Sequence, residues 1–286
     1  GFCLGLCSGF AIPVAQRFGS RDYKELRRFI GNAVWLCVGF GIVLTVLTVI
    51  FCRNILELMG TPADIIDDAY AYLVIIFAGI PATFLYNMLA GIQRAIGDSR
   101  MPLYVLIVCC LANVVLDLLF VVVFHWGVFG VAFATILSQL ISAVLLMIRL
   151  MGTQEAYRVE LRKIRFHKDI LKNVVRIGLP AGIQSAVFSV SNIIIQSAVN
   201  SLGTVVMAAT SASFNIEVIT YNILSSFSQA CTTFVGQNFG AGQIRRCKRT
   251  LLLCIAEGVV ILAVVVPLVL FWGKTLLSVF SDDPAV

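Results

Sequence analysis

The apolar positions of this chain come in long runs rather than in narrow stripes. Eight runs approach the ~20 residues a helix needs to cross a hydrocarbon core of ~30 Å. They lie near 1–16, 30–52, 70–93, 102–124, 128–149, 177–200, 205–236 and 250–272. Short polar stretches separate them, with one longer exception between 152 and 176. There Ile164, Phe166, Ile170, Leu171, Val174 and Val175 alternate with Arg162, Lys163, Arg165, Lys168 and Lys172. That pattern predicts an amphipathic helix lying on a membrane surface. Pro13, Pro81 and Pro267 fall inside apolar runs and predict bends there.

Composition agrees with membrane embedding. Hydrophobic residues make up 59% of the 286 and charged residues only 13%, against about 25% charged in an ordinary soluble domain. The charges alternate with the runs. Of the 21 Lys and Arg, all but Arg53 and Lys274 fall in the stretches 17–29, 94–101, 149–176 and 245–249. The alternate stretches carry Glu57, Asp64, Asp67, Asp68, Asp282 and Asp283. By the positive-inside rule the basic stretches face the cytoplasm of a multi-pass cell-membrane protein. The net charge of +6 is then a topology signal and implies no nucleic-acid partner. The nine cysteines sit mostly within apolar runs and read as packing residues. No phosphate-binding glycine loop, nucleophile triad or metal-ligand spacing is present, so nothing points to an enzyme.

A short pattern occurs twice, 221 residues apart. Gln16-Arg17-Phe18-Gly19 leads into Lys24, Arg27 and Arg28, and Gln237-Asn238-Phe239-Gly240 leads into Arg245, Arg246, Lys248 and Arg249. The register continues without a gap, Phe51 on Trp272 and Leu56 on Leu277. A fixed-period match is the mark of an internally duplicated fold. Six crossings separate the copies, an even number, so both enter the membrane in one direction. The expected symmetry is a pseudo-two-fold along the membrane normal. The expected fold is all-α: two bundles of six helices each, of which the chain covers eight crossings. Residues 1–151 form an amino-terminal half with five crossings, 152–176 the linker, and 177–286 a carboxy-terminal half with three. On this reading the first helix of one half and the last three of the other lie outside the chain.

Only Asp117, Glu217 and Glu257 place a carboxylate inside a crossing, where a charge costs roughly 2.5–3.5 kcal/mol and usually faces a cavity or partner. Asp117 shares a helix face with Asn113, four residues earlier. A carboxylate with amide and hydroxyl oxygens can hold a monovalent cation or take a proton, and Asn87 and Thr135 on the flanking helices are candidates to complete the shell. The alternative for Asp117 is a structural hydrogen bond between helices. Glu217 and Tyr221, one turn apart, stand near the outer membrane edge, where the carboxylate meets either a cationic substrate or water. Glu257 lies near basic residues and reads as an ion-paired or snorkelling group. Ser189, Asn192, Gln196 and Asn200 form a polar stripe, facing either a substrate cavity or another helix.

The paired Gln-x-Phe-Gly turns with their basic runs resemble the MATE (multidrug and toxic compound extrusion) family. In order, Arg94-Ala-Ile-Gly97-Asp98-Ser99, Asn113-x-x-Leu116-Asp117, Gly127-Val-Phe-Gly130 through Thr135, Gly178-Leu179-Pro180 and Thr233-Phe-Val-Gly236-Gln237-Asn238 are similar to its motifs. The resemblance spans helices two to nine of twelve. It implies a monomeric cation-coupled antiporter that exports organic cations, drugs or other amphipathic compounds by alternating access. The coupling ion would be Na⁺ or H⁺, with no cofactor and lipid as the surrounding partner. Asn113, Asp117 and Thr135 match the family's cation-site positions, and Asn87 is a further candidate. Gln196, Asn192, Glu217 and Tyr221 are the candidates for substrate contact. A lipid-linked oligosaccharide flippase of the same superfamily is the alternative. It would need cationic side chains in its cavity, and only Arg53 and Lys274 lie outside the basic stretches. A non-transporting membrane scaffold is the reading from another class.

Overall fold

In a bilayer, backbone amides must be satisfied within their own segment, so long apolar runs become helices. The computed structural model describes residues 1–58, 66–155, 157–159, 166–200 and 204–277, and contains no strand among them. In chain order the helices are α1 (Phe2–Gly19), α2 (Tyr23–Leu58), α3 (Ile66–Ala78), α4 (Ile80–Ala95), α5 (Arg100–Asp117), α6 (Gly127–Gly152), α7 (Lys168–Asn200), α8 (Thr204–Gly240) and α9 (Ile244–Leu277). A π-helical turn, Leu118–Val123, continues α5.

Among the described residues, six helices are long and apolar enough to cross a membrane, and α3 with α4 makes a seventh if that bent pair is one span. The expected eighth is α8. It is long, but its Ser, Thr, Asn and Gln residues make it too polar to be recognised on apolarity. The bend of 44° between α3 and α4 falls at Pro81, as predicted. Proline has no N–H for the carbonyl four residues back. That carbonyl, on Phe77, accepts a hydrogen bond from the Thr45 hydroxyl of α2 at 3.1 Å instead.

The surface helix expected over 152–176 is corrected in part. Residues 160–165 lie outside those described. From Lys168 onward the segment is the start of α7, not a separate helix. Its apolar positions are real but point inward: Val174 and Ile170 are buried in the amino-terminal core. The backbone N–H of His167 donates to Asn32 Oδ1 at 3.0 Å and ties this entry to α2.

The duplication is visible atom by atom in the turns. After α1, the N–H groups of Ser20, Arg21 and Asp22 donate to the carbonyls of Gln16, Phe18 and Arg17. After α8, those of Ala241, Gly242 and Gln243 donate to Gln237, Phe239 and Asn238, the same bonds 221 residues on. Both turns close with a left-handed residue, Arg21 at φ 58° and Gly242 at φ 71°, the usual way to satisfy the last carbonyls of a helix. The turn after α4, with Gly97 at φ 90°, repeats the pattern. All three meet at one end of the bundle, together with the α6–α7 connection, where Tyr157 packs on Phe18. The described turns of the basic stretches therefore lie at one end of the bundle.

Helix α1 is the most buried span and sits at the centre, against α2, α4, α7 and α8. Its large side chains Leu6, Phe10 and Val14 join Leu26, Ile30, Phe84, Met88 and Leu146 in the main core. Its small ones face α7. A Cβ on Gly9 would lie 2.5 Å from the Gly178 Cα, and one on Gly5 2.5 Å from the Ala181 carbonyl oxygen. A Cβ on Gly178 would overlap the Phe10 ring. Without a hydrophobic drive between helices in lipid, such close backbone approach is what gives van der Waals packing its strength. By contrast, α9 has many of its apolar residues turned away from the other described helices, Leu270 and Phe271 among them. Gly178→Leu is expected to destabilise the bundle by at least ~1–3 kcal/mol through overpacking. Gly39→Leu, which meets nothing within 4 Å, serves as the comparison. Thermal unfolding of the two purified variants in one detergent checks this.

Candidate functional site

The two repeat helices α1 and α8 cross at the basic end. The contact is reciprocal: a Cβ on Gly19 would overlap the Gln237 carbonyl, and one on Gly240 would overlap the Gln16 carbonyl. Each copy's glycine thus lies on the other copy's glutamine backbone, as a two-fold axis between them requires. Beside the crossing, Gln237 Nε2 donates to the Ala95 carbonyl at 2.8 Å, so the amide of one half caps a helix of the other.

Away from this end, α1, α4, α7 and α8 enclose a cavity of about 790 Å³. Its wall mixes apolar positions, among them Leu4, Ala11 and Ile12, with neutral polar ones such as Gln184, Ser185, Asn222, Ser225, Gln229 and Thr232. Phe188 and Tyr221 stack at 5.8 Å on it. No Asp or Glu contributes among the described residues.

The predicted substrate residues divide. Tyr221 lines the cavity, but Glu217, Asn192 and Gln196 do not, and all three are exposed. The cavity reaches no farther along α7 than Ser189 and no farther out along α8 than Tyr221. Asn87 also lines this cavity, and its amide donates to the Thr83 carbonyl at 2.8 Å.

A second polar region lies within the amino-terminal half. Asn113 and Asp117 share one face of α5, and Asn113 Nδ2 and Asp117 Oδ1 are buried with no hydrogen-bond partner. Gln139 Oε1 on α6 is buried and unpartnered as well, a residue the sequence reading passed over. Helices α5 and α6 are held in register by Cys109 Sγ to the Ser138 carbonyl at 3.5 Å. At the other end Gly130 lies against Phe120. Asn113, Asp117 and Thr135 fall between these two contacts. The Thr135 hydroxyl donates to the Val131 carbonyl at 3.0 Å, which leaves its lone pairs available. An unpaired buried carboxylate oxygen is costly to keep. A proton or a small cation would remove that cost. Asp117 is also the last α-helical residue before the π turn, a distortion often found at functional positions.

Arg94 overturns part of the argument against a cationic cavity. Sequence position alone assigns it to a basic loop. It lies inside α4, half-buried on the cavity wall.

A duplicated helical membrane bundle, with a cavity between its halves and an unpaired carboxylate inside one of them, has the plan of a secondary transporter. The profile of the MatE family matches residues 1–119 and 180–286, and the chain belongs to that family. It is 29% identical over 99% of its length to "Probable multidrug resistance protein YoeA" of Bacillus subtilis (strain 168), covering 62% of that relative. It is 31% identical over 86% of its length to "Probable multidrug resistance protein YpnP" of the same organism, covering 55% of it. The chain thus spans somewhat over half the length of the curated relatives it matches. The fold matches "Crystal structure of MATE in the bent conformation" with a TM-score of 0.90 at 22% identity, over 98% of this chain and 63% of that one.

The crossing generates a prediction. Gly240→Val forces α1 and α8 apart, because a backbone carbonyl cannot yield as a side chain can. Ala15, only 1% exposed beside this contact, is expected to become accessible. Maleimide labelling of Ala15→Cys in a cysteine-free background, with and without Gly240→Val, measures it.

Proposed function

We propose that this protein is a cation-coupled antiporter that exports drug-like amphipathic compounds by alternating access, with the basic end facing the cytoplasm. The observation that carries the reading is the pairing of two separate features. One is a between-halves cavity, closed at the basic end by the α1–α8 crossing. The other is the unpartnered Asp117 with Asn113 in the amino-terminal half. The names of the Bacillus relatives, both probable multidrug resistance proteins, support the substrate class.

In this reading the cavity holds the compound while the coupling ion, Na⁺ or H⁺, occupies the group at Asp117, Asn113 and Thr135. The ion drives the cycle only by stabilising one arrangement of the halves over the other. Neutralising Asp117 by protonation or by Na⁺ removes a buried charge and changes how α5 packs at its π turn. Rocking about the α1–α8 crossing then exposes the cavity to the other side.

Asp117→Asn in reconstituted proteoliposomes is expected to lower gradient-driven drug flux at least ~10-fold, a change of ~1.4 kcal/mol, with expression and unfolding temperature preserved. Flux equal to the parent protein under both a Na⁺ and a H⁺ gradient would sink the coupling role. Absence of any gradient-driven flux in the parent would favour a scaffold instead.

A further inference from the structure

We propose that the cavity between the halves takes an amphipathic organic anion, with Arg94 as the group that holds its charge. The proposal rests on the reading of that cavity as the transport site. Arg94 occupies the last turn of α4. Its guanidinium folds back over Gly91, where a Cβ would stand 4.0 Å from Nη2. The same position would meet Ala11 Cβ at 3.6 Å and the Cys7 carbonyl at 3.8 Å. The guanidinium therefore lies near the facing surfaces of α4 and α1, on the cavity.

Among the described residues no carboxylate answers this charge. Among the described residues Arg94 has no ion pair. The ionisable side chains that interact with it are Tyr86 and Cys7, both of types that are uncharged near neutral pH. The cavity wall adds no Asp or Glu. A cation within a membrane-spanning bundle is costly unless it finds a partner, and such residues mark ligand pathways. Here the missing partner is best supplied by the ligand. An organic cation would meet a like charge with nothing to offset it, and an anion would gain a charge-assisted hydrogen bond.

The arrangement also orients the ligand. Arg94 precedes Ala95, whose carbonyl accepts from Gln237 beside the crossing, so the positive charge sits at the closed floor. Neutral donors on α8, Gln229 and Thr232, face the same space. The stacked pair Phe188 and Tyr221 offers an apolar and aromatic wall farther from the floor. An anionic head at Arg94 and a ring system against that pair fill a volume of about 790 Å³, within the range of drug-sized sites.

Two xanthene dyes of opposite charge test this: carboxyfluorescein and rhodamine 6G. Binding to the purified protein is read by fluorescence polarisation, and gradient-driven flux in proteoliposomes. Carboxyfluorescein is expected to bind at least ~10-fold more tightly. Arg94→Gln should bring the ratio of the two affinities to about one, and Arg94→Lys should keep most of it. Tighter rhodamine 6G binding in the parent, or an unchanged ratio in Arg94→Gln, overturns the proposal. Should Arg94→Gln not fold, competition on the parent decides: naphthalenesulfonate should displace carboxyfluorescein, and displacement by naphthylmethylammonium at equal concentration refutes the site. Arg94-dependent binding of carboxyfluorescein without flux of either dye would fault the transport reading and leave the anion site standing. Preferential flux of rhodamine 6G would do the reverse.

Discussion

The structure depends on how closely α1 can approach its neighbours across the two halves. At the basic end it meets α8 with backbone against backbone, Gly19 on Gln237 and Gly240 on Gln16. Along its length it meets α7 through Gly5 and Gly9. Lipid gives no hydrophobic reason for helices to associate, so contact area at short range has to do it. Side chains at these positions would hold the halves apart. The same contact determines the shape of the cavity. Two helices pinned at one end by a symmetric crossing can enclose space only toward the other, and there the polar residues of α7 and α8 gather.

This arrangement separates two kinds of chemistry. The cavity is a mixed apolar and neutral polar site with one positive side chain. The group at Asp117, Asn113 and Gln139 is a set of unsatisfied buried oxygens and nitrogens inside one half. Helix α4 bounds the cavity and also packs on α5 and α6, so it is the physical link between the regions. Its bend at Pro81 and the π turn after Asp117 both interrupt the regular helical hydrogen-bond pattern, and such interruptions are where helices change shape at low cost.

Much of this was legible in residue order. The Gln-x-Phe-Gly copies announced the duplication, and their hydrogen bonds agree donor for donor. The bend at Pro81 was legible too, because a missing N–H has a local consequence. Other features were not legible. Helical periodicity puts Glu217, Asn192 and Gln196 on helix faces, but it does not say which residues line a cavity. Gln139 carries no local signal, since one glutamine in an apolar run looks the same buried or exposed. Arg94 was assigned by its distance from a turn, and that cannot tell a loop residue from one on the inner face of the last helical turn.

The amino-acid sequence by itself determined the class of molecule, the alternation of its basic and acidic stretches, the duplication and the presence of a carboxylate in an apolar run. These follow from solvation cost and covalent order, which are properties of segments. Only the tertiary structure decided which polar groups share a cavity, which are left without partners and where the lone arginine points. Those depend on the distance between helices far apart in the chain. That distance is set at Gly19 and Gly240 by contacts that no single segment contains.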